Sequence, residues 1–236
     1  MIIIPMVGKS SRFFTAGYMR PKYELEVEGV SVFCHAVSSF RKYFESDFFL
    51  FVVRKDFGAE NFVRQEIESL GINESRIIVL EHETRGQADT VFQGLQSIIV
   101  QESIYIFNID TFRPGFSKPE ISQLCDGYLE VFEGEGDNWS FVEPGSDMKV
   151  LRTTEKNRIS NLCSDGLYFF RNRIDFEDAF NYAVQTQNLD KGEYYVAPLY
   201  NYLIKKGLDI RYVKTDIKDV IFCGTPQEYL QLHGEK

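Results

Sequence analysis

The first half of the sequence alternates short apolar runs with amphipathic stretches, and this alternation constrains the fold more than any other feature. The apolar runs predict strands at residues 1–6, 48–53, 76–80 and 103–107, and the stretches between them predict helices at residues 31–44, 58–70 and 90–98. Strands that alternate with helices form a mostly parallel sheet with helices on both faces, and ligands bind beyond the carboxyl ends of its strands. We therefore predict an α/β, Rossmann-like fold whose functional residues follow the strands.

The pattern changes in the second half of the chain. Shorter extended pieces at residues 128–132, 140–142 and 167–170 predict additional, partly antiparallel strands on the far side of a cleft. Further helices are predicted at residues 175–187, 195–206 and 226–232, around a strand at residues 209–213. Because no repeat, low-complexity tract or linker interrupts the sequence, we predict a single domain over residues 1–236.

The charge balance and the scattered cysteines exclude several classes of protein. With 26 basic and 35 acidic side chains the net charge is −9, which argues against binding to nucleic acid or to an anionic membrane. The four cysteines include no C-x-x-C pair and the three histidines are isolated, so a zinc cluster is not expected. No apolar run is long enough to span a bilayer, and we expect a cytoplasmic protein with reduced thiols.

A basic loop follows the first predicted strand. Within residues 1–25 the only acidic side chain is Glu24, and the basic side chains are Lys9, Arg12, Arg20 and Lys22. The segment that precedes Arg12 consists of Val7, Gly8, Lys9, Ser10 and Ser11. Its backbone amides can approach a triphosphate, while Arg12 and Lys22 supply charge that amides lack. The alternative interpretation is a solvated turn with surface cations; an ATPase P-loop is excluded because Ile3 stands where that motif needs glycine.

Two later segments carry further candidate site residues. At the start of the helix before the fourth strand, Gly86 and Ala88 would let a base lie close, and Gln87 or Arg85 could bond its Watson–Crick edge. The alternative there is an ordinary helix N-terminus. Asp110 ends an apolar strand and offers the hard oxygen ligand that Mg²⁺ prefers, although a lone aspartate can also cap a turn.

The order of these motifs resembles the signature of the sugar-phosphate nucleotidyltransferase superfamily, which is usually written G-x-G-T-R followed by a P-K pair. The matching residues are Gly8, Ser11, Arg12, Pro21 and Lys22. Ser10 stands where the second glycine is usual. The resemblance implies a nucleotidyltransferase fold of GT-A type in which the loop wraps the nucleotide's phosphates. It also implies that Arg12 and Lys22 neutralise phosphate charge, and that Asp110 binds Mg²⁺ and through it the α-phosphate.

The same resemblance implies an acceptor side and a second metal ligand. Residues 164–170 are similar to the family's glycine–aromatic strand, which implies acceptor contacts from Asp165, Gly166 and Tyr168. Residues 191–195 are similar to its Gly-Glu segment, which implies that Glu193 binds acceptor hydroxyls or amines. Phe222 occupies the position of the family's second metal-binding aspartate, so either Asp216 or Asp219 supplies that ligand or the second carboxylate is missing.

These features together predict a Mg²⁺-dependent enzyme that transfers a nucleotidyl group from a nucleoside triphosphate to a phosphorylated small molecule and releases pyrophosphate. The opening residues are also similar to cytidylyltransferases encoded with bacterial capsule genes, which implies CTP as the nucleotide and phosphorylated glutamine as the acceptor, with CDP-glutamine as the product. Three alternatives remain: a UTP- or dTTP-dependent sugar-1-phosphate enzyme, a glycosyltransferase of related fold, and a non-catalytic nucleotide sensor. No motif predicts the oligomeric state.

Overall fold

The strands of the chain form the predicted α/β architecture. The computed structural model describes residues 1–99 and 102–234. The strands are β1 (Ile2–Met6), β2 (Glu26–Val27), β3 (Val30–Ser31), β4 (Phe48–Arg54), β5 (Glu74–Leu80), β6 (Ile104–Phe107), β7 (Thr111–Phe112), β8 (Gly127–Glu133), β9 (Ser140–Pro144), β10 (Val150–Glu155), β11 (Leu162–Phe170), β12 (Ile210–Lys214) and β13 (Ile221–Phe222).

Helices cover the sheet and separate its parallel strands. They are α1 (Ser11–Thr15), α2 (Val32–Ser38), α3 (Ala59–Leu70), α4 (Gln87–Leu95), α5 (Arg173–Gln185), α6 (Tyr200–Lys205) and α7 (Pro226–Leu232). Within the described part of the chain, no helix is long and apolar enough to cross a membrane.

The main sheet combines a parallel half with an antiparallel half. Its order is β10-β9-β11-β6-β1-β4-β5, with β8 paired to β11 and β12 paired to β8. Strand β1 lies parallel to β4 and β6, and β4 lies parallel to β5. Strand β11 runs antiparallel to β6, β8 and β9 and joins the two halves. This arrangement confirms the predicted mostly parallel sheet with partly antiparallel additions.

Alternate residues of the parallel strands pack into two separate apolar layers. On one face Ile3 and Leu50 pack in a core that includes residues of α4, α5 and α6. On the other face Ile4 and Phe51 pack in a core that includes residues of α2 and α3. The period of two along a strand explains this division, because successive side chains point to opposite faces.

Several predicted boundaries differ from the observed ones. The helix predicted at residues 31–44 ends at Ser38, where Ser39 accepts a hydrogen bond from the backbone N–H of Arg113 (2.8 Å) and Phe40 turns its ring against Phe107. Helix α4 begins three residues earlier than predicted, because Gly86 adopts a conformation that starts the helix at Gln87. Strand β10 was not predicted, since its V-L-R-T-T-E sequence contains no apolar run.

Candidate active site

A cavity of about 850 Å³ opens where β1 and β6 end and where β11 is irregular. It lies beyond the carboxyl ends of the parallel strands, as expected for this class of sheet. The sequence-predicted residues that line it are Gly8, Arg12, Lys22, Gln87, Asp110, Asp165, Gly166, Tyr168 and Glu193. The predicted residues that do not line it are Val7, Lys9, Ser10, Ser11, Arg85, Gly86, Ala88, Asp216 and Asp219.

One wall of the cavity, here called the loop wall, is formed by Gly8, Arg12, Lys22 and Asp110. The Lys22 Nζ atom lies 2.5 Å from Asp110 Oδ2, and each side chain is about one-fifth exposed, at 18% and 20%. Burial opposes ionisation of Asp110, but the nearby Lys22 ammonium and Arg12 guanidinium keep the pKa of this carboxyl below its usual value. The loop wall therefore holds an ionised carboxylate beside two cations.

The rest of the predicted phosphate loop lies outside the cavity. The side chain of Val7 is buried in the core. The ammonium of Lys9 is paired with Glu83 (2.7 Å) at an exposed position. The hydroxyl of Ser10 accepts a hydrogen bond from the backbone N–H of Lys22 at 3.1 Å. Only part of the loop that the sequence singled out therefore lines the cavity.

A second carboxylate faces Asp110 across a glycine. A Cβ atom added at Gly224 would lie 2.8 Å from Asp110 Oδ2 and 3.6 Å from Glu228 Oε2, so the missing side chain leaves space between the two carboxylates. Glu228 lines the cavity, and its Oε2 accepts hydrogen bonds from the N–H groups of Gly224 and Thr225 at 2.8 and 2.9 Å. Sequence reasoning missed Glu228 because it also completes the capping box of α7, which accounts for its local pattern.

These oxygen donors fit a magnesium ion, which takes one or two carboxylates and keeps waters and phosphate oxygens as its other ligands. The described residues contain no group of three or more histidine, cysteine or acidic side chains arranged to hold a metal. Asp216 caps a short 3₁₀ helix and pairs with Lys218 at 2.9 Å, and the backbone carbonyl of Asp219 accepts from Arg113 at 3.2 Å. Their predicted metal role stays a prediction.

The predicted base-binding segment packs against the chain near Tyr194. Gly86 has φ +122°, and a Cβ added there would lie 2.6 Å from the carbonyl oxygen of Tyr194. The N–H of Ala88 donates to that same oxygen at 3.0 Å, and the N–H of Tyr194 donates to the carbonyl of Arg85 at 2.7 Å. Gln87 is the member of this segment whose residue lines the cavity, and its amide donates to Asn108 Oδ1.

Strand β11 forms the floor of the cavity. Gly166 has φ +94°, and a Cβ added there would lie 2.2 Å from Asn108 Nδ2, so only glycine leaves room for the Asn108 side chain.

The carboxyl of Asp165 is fully buried, accepts from the N–H of Leu167 at 3.1 Å, and lies 3.9 Å from Arg113 Nε. Burial raises the pKa of Asp165 well above its usual value, and the carboxylate of Glu130 raises it further. Burial also raises the pKa of Tyr168 to about 12.

A second wall, here called the hairpin wall, is formed by Trp139, Ser140, Glu155 and Lys156 at the open end of the β9–β10 pair. The Lys156 ammonium donates to the hydroxyl of Tyr195 at 2.6 Å and lies 3.6 Å from Glu155. Burial disfavours its charge, but the contact with Tyr195 raises the pKa of Lys156. Sequence reasoning missed this wall because its ionisable residues lie at the end of the unpredicted strand β10 and directly after it.

An aromatic group extends the hairpin wall toward Phe222. The rings of Trp139 and Phe222 lie 4.8 Å apart between centroids, and the ring of Phe132 lies 5.2 Å from that of Phe222. Phe222 is thus a packing residue at the position where the resemblance would place a carboxylate. Glu193 and Tyr195 lie beside this wall and also line the cavity.

Solved structures with this fold include several nucleotidyltransferases. The nucleoside-diphosphate-sugar pyrophosphorylase from Vibrio cholerae RC9 is 51% identical in sequence, with 100% of both chains covered and a TM-score of 0.96. The inositol-1-phosphate CTP transferase from T. maritima is 14% identical over 98% of this chain and 94% of its own, with a TM-score of 0.73. A UDP-glucose pyrophosphorylase complexed with UDP-glucose is 13% identical over 99% and 96% of the two chains, with a TM-score of 0.74. No protein-family model and no curated protein matches the chain.

Proposed function

Because the chain belongs to the sugar-phosphate nucleotidyltransferase superfamily, we propose that it transfers a nucleotidyl group from a nucleoside triphosphate to a phosphorylated small molecule. The products are a nucleotide-diphospho compound and pyrophosphate. The observation that carries this proposal is the presence in one cavity of two separate sets of charges. Arg12, Lys22 and Asp110 lie on the loop wall, and Lys156 lies on the hairpin wall.

The residues of the loop wall suit the triphosphate. An oxygen of the acceptor phosphate attacks the α-phosphorus in line, and the bond from that phosphorus to the leaving pyrophosphate oxygen breaks. Arg12 and Lys22 stabilise the negative charge that spreads over the phosphoryl oxygens, so positioning and electrostatics suffice without a covalent intermediate. Asp110, with Glu228 across the space at Gly224, would hold Mg²⁺, whose charge neutralises the triphosphate. The attacking phosphate oxygen is already anionic, so no general base is required.

The residues of the hairpin wall suit the acceptor. The Lys156 ammonium lies where it can bind the acceptor's phosphate, and its contact with Tyr195 fixes its direction. Glu193 and Glu135 also line the cavity on this side. Exposed carboxylates favour an acceptor that carries hydroxyl or ammonium groups in addition to its phosphate.

Within this class we propose CTP as the nucleotide and phosphorylated glutamine as the acceptor, in the formation of CDP-glutamine for a bacterial capsule. The resemblance of the opening residues to capsular cytidylyltransferases supports both choices. The Gln87 amide supports the base: with its N–H₂ donating to Asn108 Oδ1, its oxygen is left to accept from the 4-amino group of cytosine. A uracil base would place its own carbonyl oxygen against that acceptor. The unpaired contact would cost ~1–3 kcal/mol, which corresponds to roughly 5- to 150-fold weaker binding of the uracil nucleotide.

Competition between equimolar CTP, UTP, dTTP, ATP and GTP tests the proposal directly. Each mixture contains Mg²⁺ and one acceptor from a panel of phosphorylated glutamine, sugar 1-phosphates and polyol phosphates. Pyrophosphate release measures the reaction, and chromatography measures the loss of each nucleotide. We expect the fastest consumption of CTP, with phosphorylated glutamine as acceptor.

Faster consumption of UTP or dTTP would overturn the choice of cytosine and leave the nucleotidyltransferase proposal standing. Absence of pyrophosphate with every pair would overturn the reaction itself and favour a nucleotide sensor. Transfer from a nucleotide sugar would favour the glycosyltransferase alternative.

A further inference from the structure

Ser10 occupies the N-cap position of α1 but does not cap that helix with its side chain. A serine at this position ordinarily accepts a hydrogen bond from an N–H of the first helical turn. The backbone carbonyl of Ser10 instead accepts from the N–H groups of Phe13 and Phe14, at 2.9 and 3.1 Å. The start of the helix therefore does not use the hydroxyl.

The backbone of Ser10 is also in a conformation that favours glycine. Its φ of +52° lies in the left-handed region, where an L side chain is strained and glycine is not. Glycine would therefore suit the backbone better, and it is the residue usual at this position in the motif that the loop resembles. The side chain must contribute something that glycine cannot.

That contribution is a hydrogen bond to the backbone of Lys22, one of the two cationic residues of the loop wall. The Ser10 hydroxyl accepts from the backbone N–H of Lys22 at 3.1 Å. Lys22 opens a 3₁₀ helix directly after Pro21, and the first N–H of a helix has no acceptor within its own helix. The hydroxyl supplies that acceptor and ties the loop after β1 to a residue 12 positions further along the chain.

We propose that Ser10 is a positioning residue, whose hydroxyl fixes the backbone of Lys22 so that the Lys22 ammonium reaches Asp110 and the triphosphate in the cavity beside it. The tether runs from Ser10 Oγ through Lys22 to Asp110 Oδ2, which lies 2.5 Å from Lys22 Nζ. The inference rests on the proposed function, because the benefit of a fixed Lys22 is measured in nucleotidyl transfer. In this chain the phosphate loop and the Pro-Lys segment act as one unit.

The decisive variant is Ser10→Gly, which removes the hydroxyl and relieves the backbone strain. We expect an unchanged or higher melting temperature together with a fall in kcat of about tenfold. Gln187→Gly is the matched control, because Gln187 has φ +51°, is exposed and lies outside the cavity. This control should gain the same relief of strain and keep full turnover. If Ser10→Gly keeps full turnover, the hydroxyl does not position Lys22 and the inference falls.

A double-mutant cycle identifies the residue through which Ser10 acts. The tenfold effect of Ser10→Gly should shrink below about twofold when it is introduced into Lys22→Ala, because the tether then has nothing to position. Equal effects in both backgrounds would assign Ser10 a role independent of Lys22 and would overturn the inference.

Hydrogen exchange of the Lys22 backbone amide, followed by NMR, tests the tether without any turnover. This amide should be protected in the wild type and should exchange faster in Ser10→Gly, while amides of the main sheet keep their rates. Equal protection in the two proteins would overturn the tether. If the wild type releases no pyrophosphate with any substrate pair, the proposed function fails, and amide exchange still decides whether Ser10 holds Lys22.

Discussion

The two walls of the cavity are built in different ways. The loop wall consists of residues from the segments that follow β1 and β6, and its central contact is the ion pair between Lys22 and Asp110, which lie 88 positions apart in the chain. The hairpin wall consists of side chains at the open end of the antiparallel β9–β10 pair, where Glu155 contacts Ser140 of the neighbouring strand and Lys156 contacts Tyr195 from a later segment. Under the proposed function, the loop wall carries the chemistry that any triphosphate requires, whereas the hairpin wall binds the acceptor.

The largest expected effect is on the loop wall. Asp110→Ala should remove nearly all turnover while the fold stays intact, because a carboxylate at the end of β6 lies in the cavity and not in the core. Pyrophosphate release at saturating Mg²⁺ measures the effect, with circular dichroism as the check on folding. Asp178→Ala is the control, since Asp178 is exposed and pairs only weakly with Lys206 at 3.5 Å. If Asp110→Ala keeps more than about a tenth of wild-type activity, a loss under ~1.4 kcal/mol, the metal assignment is wrong.

The next effect concerns the contact between the start of α4 and the segment around Tyr194. Gly86→Ala should lower the free energy of unfolding by about 3 kcal/mol, because the added Cβ would meet the Tyr194 carbonyl in a backbone conformation that only glycine adopts easily. Gly207→Ala separates the backbone strain from the contact with Tyr194. Gly207 has φ +83°, but no atom lies within 4 Å of a Cβ added there. Urea unfolding of both variants measures the difference. Equal losses of unfolding free energy in the two variants would mean that the contact of the added Cβ with Tyr194 does not destabilise the protein.

A smaller effect is expected on the hairpin wall. Lys156→Ala should raise the KM for the acceptor about tenfold, or ~1.4 kcal/mol, and leave the KM for the nucleotide unchanged. Lys206→Ala is a matched control because Lys206 also lies over a tyrosine ring, that of Tyr202 at 4.8 Å, but outside the cavity. An equal rise in both KM values for Lys156→Ala would contradict the division of labour between the walls.

The last effect is a change of stability with pH and comes from the buried carboxyl of Asp165 in the floor of the cavity. Burial and the nearby Glu130 raise the pKa of Asp165 well above its usual 3.8, so the folded protein keeps a proton that the unfolded chain releases. The stability contributed by this group therefore falls as pH rises from about 4 toward the folded pKa, by at most ~1.4 kcal/mol per pH unit. Asp165→Asn keeps an oxygen for the Leu167 N–H and should remove this slope. Parallel stability curves for the two proteins between about pH 5 and pH 8, from urea titrations, would contradict the assignment.

The difference between the walls also explains what could be predicted from the sequence. Asp110 was found because an apolar run ends three positions before it, at Phe107, and Lys22 because it stands in a short basic segment. Lys156 was missed because β10 lies at the edge of the sheet and has no apolar run. The contact of Gly86 with Tyr194 joins segments far apart in the chain, and no local pattern encodes it. Local rules therefore reach residues that stand beside an apolar strand or in a distinctive charged segment, and miss contacts between segments that are far apart in the chain.

The pairing of β6 with β11 leaves one edge of β6 without its partner while the chain is being synthesised. Strand β6 ends at Phe107, but its partner β11 begins only at Leu162. At typical synthesis rates, the growing chain carries an unpaired apolar strand edge for on the order of 3–11 s. Such edges pair readily with other chains. Ribosome-bound chains that end between these two strands should therefore crosslink to chaperones more strongly than chains that already include β11.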